Sequence, residues 1–225
     1  AYCAREDGSE EASLAFVDGL KKGEEDLAND EDFNALMDLI DVYMEYNINK
    51  DDPLSATYDM NDEYLKEGTV AFWPNGSWAT DVSELTDNVG IMPYPMDTKD
   101  EVNAHNLVSG ATKMLAVDAA YSSEDEQKAA LEFLNWLVYS DYGQKFMVNT
   151  CSLITAFSNN TQEPEAALSA SVASFVKNGS SVYWYQAMPS DHNTVVGAIL
   201  QKYISGEMDR DELISEVSDY WKNHE

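Results

Sequence analysis

The chain has 225 residues, 44% of them hydrophobic and 11% aromatic, enough for one sizeable core or two modest lobes. Lys and Arg number 13 against 42 Asp and Glu, a net charge of −29, so a nucleic-acid backbone or an anionic membrane surface would repel it. Nucleic acid is therefore excluded as a partner class, and the carboxylates are expected to form a solvated surface.

The two cysteines, Cys3 and Cys151, lie far apart and outside any metal-ligand spacing, so neither a disulfide framework nor a metal site follows from them. No apolar run reaches the roughly 18 to 20 residues that a membrane-spanning helix needs. The opening Ala1-Tyr2-Cys3-Ala4-Arg5 has neither an initiator Met nor a signal peptide, and the natural N-terminus is expected upstream.

The stretch before Asn29 is densely acidic and carries no assignable element. Asn29 followed by Asp30, Glu31 and Asp32 predicts a helix start, and Phe33, Leu36, Met37, Ile40 and Met44 recur at helical spacing to an end near Asn47. A short helix through Tyr64 and Leu65 should stop at Gly68. Thr69-Val70-Ala71-Phe72-Trp73 reads as a buried strand, and Pro74-Asn75-Gly76-Ser77 as a turn whose Ser77 caps a helix beginning at Trp78. Val89 to Met92 and Lys113 to Val117 read as two further strands.

Ser123 and Glu126 have capping-box spacing before a stripe of Ala130, Phe133, Leu134 and Leu137, and another helix starts near Asp141. Pro164 suits the first turn of a helix through Leu168, Val172 and Val176 that stops at Asn178-Gly179. The last two helices span about Thr194 to Ile204 and Asp211 to Trp221, separated by Gly206. Few short strands among many helices predict an α/β layered fold, helix-rich, with a short and mostly buried sheet.

Signals for catalysis are weak. His105, His192 and His224 are isolated from one another in sequence, and no phosphate-binding loop or nucleophile-elbow motif is present. Asp209, Asp211 and Glu212 superficially follow a calcium loop but lack its Gly and final ligand at the required offsets. A secreted glycosidase with paired carboxylates, or a carbohydrate-active accessory domain, stays open as an alternative.

Aromatic residues in turns say more. Trp73 and Trp78 flank the Pro74 to Ser77 turn, and Tyr183, Trp184 and Tyr185 precede Gln186. Sugar rings stack their C–H faces on aromatic planes, while their hydroxyls need partners of the kind that Asn75, Ser77 and Gln186 carry. The same aromatics would fill a core equally well, and Trp78, beside a turn, is the best placed to escape one.

Glu63 to Trp78 resembles the "F-x-x-G-x-x-A-(M/F)-x-x-x-G-x-W" segment of extracellular solute-binding proteins of the maltose-binding-protein type. Val89 to Pro95 is similar to that family's "(I/V)-G-x-x-P-x-P" strand, and Val108 to Thr112 to its Gly-rich loop. Ala129 to Leu137 resembles its "A-x-E-F-L-x-(F/W)-L" helix, Ser140 to Gln144 its "S-x-E-x-Q", and Leu200 to Met208 its closing helical segment, all in the family's order.

The resemblance runs from about Phe16 onward and implies a lobe of the type II periplasmic-binding-protein fold with the N-terminal lobe largely missing. Residues 1–94 would form the first part of the C-terminal lobe, 95–157 a crossover normally shared with the N-terminal lobe, and 158–225 the closing helices. That crossover would pack unusually or pair with a second copy. The implied role is the substrate-binding component of an ABC importer, extracellular or lipid-anchored at the cell surface (periplasmic where an outer membrane exists), with no cofactor. It would capture an oligosaccharide and pass it to the permease subunits. Carried over by position, Trp78 matches the sugar-stacking aromatic, Asn75 and Ser77 share its turn, and Ser109 and Gly110 match a cleft-lining loop. Trp73, Trp184 and Tyr185 are ligand candidates on chemical grounds alone.

Overall fold

A computed structural model describes residues 5, 8–79, 89–96, 105–110, 113–183 and 188–224, and elements are numbered among these. The chain divides into two compact units: Ala1–Ala71, Met92–Gly110 and Ser180–Glu225 form the first, Phe72–Ile91 and Ala111–Gly179 the second.

The first unit is built on α1 (Glu10–Lys22), α2 (Glu31–Tyr46), α3 (Tyr58–Lys66) and the late hairpin of α7 (His192–Ile204) and α8 (Arg210–Lys222). Helix α1 was not legible in the acidic N-terminal stretch, yet its local signals are complete. Ser9 accepts from Ala12 N, Glu10 and Glu11 sit in the first turn, Lys21 and Lys22 in the last, and Gly23 closes it at φ 70. Its Phe16, Val17 and Leu20 join Leu27, Phe33, Met37, Ile199, Met208, Leu213, Ile214, Val217, Tyr220 and Trp221 in one core.

Helix α2 is apolar on two faces because it packs on two sides. Phe33 and Met37 enter that core, and Ala35 and Leu39 pack with Met96, Leu36 and Tyr43. Its cap is Asp30, one residue after the expected Asn29: the Asp30 carboxylate accepts from Phe33 N at 2.7 Å and holds Arg5 through contacts of 2.6 and 3.0 Å. The Arg5 guanidinium also lies 3.4 Å above the Phe16 ring, so one buried cation joins the chain start to both α1 and α2. Arg210, at the start of α8, donates to the Asn34 carbonyl and side chain and pairs with Asp38. The acidic run that follows is a capping box, Asp209 accepting from Glu212 N and Glu212 reaching back to Asp209 N.

The only ladder among the described residues is parallel, β1 (Leu107–Ser109) with β2 (Ser181–Tyr183), in the register Leu107 to Ser181 and Ser109 to Tyr183. A parallel pair needs a long connection. Here it spans residues 110–180, which include most of the second unit. The fold is helix-rich with a small parallel sheet, compatible with an α/β class.

None of the three expected strands joins a ladder among the described residues. After α3 stops at Gly68 (φ 71), Thr69 N and Val70 N both bond to the Tyr64 carbonyl, so this backbone finishes a helix instead of entering a ladder. Ile91 pairs with a side chain: its N–H donates to Ser171 Oγ at 3.1 Å, and that hydroxyl lies 3.4 Å from the Ile91 carbonyl. Lys113 to Val117, expected to be covered on both faces, pairs with no strand among the described residues and exposes Met114 and Leu115.

The second unit carries α4 (Glu124–Tyr139), α5 (Asp141–Lys145), a π-helical turn at Phe146–Thr150, and α6 (Ala167–Lys177). The expected capping box at Ser123 and Glu126 is formed. Of the expected apolar stripe, Leu137 is buried and Ala130 and Leu134 half-buried, but Phe133 is 54% exposed. Helix α6 begins three residues after Pro164 and ends at Asn178, with Gly179 at φ 72. Gly143 is fixed by packing, since a Cβ there would lie 2.4 Å from the Leu137 carbonyl oxygen.

Candidate functional site

The turn after Trp73 is built by small residues around a large one. Asn75 Oδ1 accepts from Gly76 N at 2.9 Å, and Ala79 N donates to the Gly76 carbonyl at 3.1 Å, which places Ser77 and Trp78 at the centre of a four-residue turn. The Trp78 indole folds back across Gly76, where a Cβ would lie 2.3 Å from the ring. Gly76 is therefore a seat for the indole. Ala79, which closes the turn, is buried, while Trp78 stays 69% exposed.

Phe72 is also exposed, which its expected place in a buried strand would not allow. It adds a second aromatic surface two residues before the turn, and the adjoining Trp73-Pro74 was the signal that could have found it. Trp73, Asn75 and Ser77 are half-buried. The helix expected from Trp78 onward falls on residues 80–88, outside the described residues; what is described at Ser77 and Trp78 is the turn.

Ser109 and Gly110 belong to the first unit, Ser109 as the last residue of β1 and Gly110 exposed just after it. Trp73, Asn75, Ser77 and Trp78 belong to the second unit. Trp184 and Tyr185 lie outside the described residues; Tyr183, at the end of β2, is exposed.

Chemically, residues 72–79 present aromatic faces, an amide and a hydroxyl, with no carboxylate, imidazole or thiol among them. Such a set can stack against the apolar face of a ring and exchange hydrogen bonds with its substituents. It holds no titratable acid–base pair. Among the described residues no three His, Cys, Asp or Glu side chains gather as a metal-ligand group, and no helix is long and apolar enough to cross a membrane. Cys151 is a free, exposed thiol after the π-helical turn. No known protein family, curated protein or solved structure matches the chain.

Proposed function

We propose that this chain is part of the solute-binding component of an ABC importer, in the lobe type II of periplasmic binding proteins, which captures an oligosaccharide outside the membrane and hands it to the permease without chemical change. The observation that carries the reading is Trp78: a large indole seated on a glycine and left open to solvent, in a segment whose remaining polar groups suit sugar hydroxyls. An exposed aromatic face on a turn is available to stack against the apolar face of a sugar ring, and binding residues often lie on such connecting segments. The ordered resemblance of Glu63 to Trp78 and of the later segments supports the same role.

The test is a calorimetric and thermal-shift screen with mono- and oligosaccharides, beside peptides and polyamines, on the intact receptor. A ligand bound only by the native state raises its apparent stability, by about 2.7 kcal/mol at a hundredfold excess over Kd. Sugars should raise the melting temperature and give a saturable heat. Binding of peptides or polyamines with no response to any sugar would defeat the carbohydrate assignment.

A further inference from the structure

Where the end of α8 meets the start of α7, Asp191, Tyr220 and His224 form a closed polar circuit. The Tyr220 hydroxyl donates to Asp191 Oδ1 at 2.9 Å. His224 Nδ1 lies 2.8 Å from the Tyr220 carbonyl, and Nε2 lies 3.2 and 3.3 Å from the two Asp191 oxygens. A carbonyl oxygen only accepts, so Nδ1 must carry a proton. A neutral imidazole has just one, which would leave the bare Nε2 lone pair facing a carboxylate that also only accepts. Both contacts are satisfied together only by the imidazolium.

Position reinforces this. His224 follows the last turn of α8, where the helix dipole favours a cation, and Asp191 precedes the first turn of α7, where it favours an anion. The Tyr220 hydroxyl and then His224 hold the Asp191 carboxyl below its ordinary value. Among the described residues, the His192 ring lies 5.6 Å from Tyr220 and 5.3 Å from Trp221, and Lys222, two residues before His224, runs its stem beside Gly23 at the end of α1. His192 is buried at the first turn of α7, where burial favours its neutral form.

The geometry points to a proton-gated clasp: Asp191, Tyr220 and His224 tie the last turn of α8 to the start of α7 when His224 carries both ring protons, and the tie loosens when Nε2 loses its proton. The released His224 ring leaves Asp191 to Tyr220 and water, and the bonds from Asn223 N to the Asp219 carbonyl and from His224 N to the Trp221 carbonyl lose their anchor.

The test is amide hydrogen exchange of residues 221–224 in the full chain, referred to intrinsic rates, at about pH 6 and about pH 8, the interval in which histidine changes charge. Protection should be greater at the lower pH by about two- to fivefold, the scale of a charged contact at a helix end. Asp191→Asn gives the discriminating readout. Its amide oxygen still accepts from Tyr220, while its NH2 donates to a neutral Nε2, so protection should persist at the higher pH and lose its pH dependence. His224→Phe should remove the gain at the lower pH and leave protection at or below the parent's level at the higher pH. Equal protection of the parent at the two pH values, or an Asp191→Asn variant with the parent's pH dependence, would overturn the clasp and leave the contact a static one.

Discussion

The two units solve the burial problem differently. Among the described residues the first buries eighteen apolar side chains, thirteen of them in one cluster, with Trp221 fully enclosed. The second buries five, Ala79, Leu137, Met147, Val148 and Leu168, and leaves aromatic side chains outside. On α4 and α5, Phe133 and Trp136 stack at 5.9 Å, Trp136 lies 5.9 Å from Tyr142, and Trp136 and Tyr142 are 42% and 70% exposed. Folding must offset roughly 1 to 2 kcal/mol of backbone entropy per residue, mainly through apolar burial. The first unit concentrates that burial in one core; in the second, much of the apolar surface that would contribute remains in water.

That contrast is first tested by emptying the better core. Trp221→Ala should cost about 3 to 5 kcal/mol, a cavity at the centre of the α1, α2, α7 and α8 cluster, read as a fall in denaturation midpoint. Removing the buried cation comes next. Arg5→Ala removes the guanidinium that contacts both Asp30 and Asp32 and should cost about 3 kcal/mol, whereas Arg5→Lys keeps charge but not the forked contact and should recover only part of it. In the second unit, Phe133→Ser with Trp136→Ser should change stability by about 1 kcal/mol or less, because these rings are already wet. A loss as large as that of Trp221→Ala would show that this face is core after all.

Acid acts on the first unit through His192. Burial lowers its affinity for a proton relative to the ordinary value of 6.5, so the folded state binds that proton less readily than the unfolded chain. Its contribution to stability is complete above 6.5 and is lost as pH falls through the lowered value. His192→Gln should flatten the acid limb of a stability–pH curve that the parent shows. This global effect is opposite in sign to the local tightening expected at His224, so the two histidines separate by readout.

The same contrast explains what the sequence revealed. Helices with a helical apolar stripe were legible: α2 through Phe33 and Met37, though its cap is Asp30 and not the expected Asn29, α4 through its Ser123 and Glu126 capping box, and α8 over about Asp211 to Trp221, though its Asp209 cap reads in sequence only as part of an acidic run. Helix α1 was hidden by the acidic residues that surround it, although Ser9 and Gly23 bracket it. Apolar runs at Thr69 to Trp73 and Lys113 to Val117 have strand composition, but strands exist only by pairing, and no periodicity within a run names its partner. The segments that do pair are three residues long, too short for alternation to show. At the candidate site the Asn75-Gly76 turn was legible from its residue types, while the exposure of Phe72 depended on a strand that does not form.

Gly76→Ala offers the smallest perturbation. The added methyl must push the indole aside, so tryptophan fluorescence should shift and sugar affinity fall with a stability change of about 1 kcal/mol or less. The most direct measurement is Trp78→Ala in this chain, with melting temperature and oligosaccharide affinity, the binding proposed above, determined on the same preparation. Loss of a stacking contact worth about 0.5 to 1.5 kcal/mol, plus the area it covers, should weaken binding several-fold or more, and the melting temperature should hold because the indole is mostly in solvent. A collapse of about 3 to 5 kcal/mol in stability with unchanged affinity of the folded fraction would contradict the account and make Trp78 a core residue.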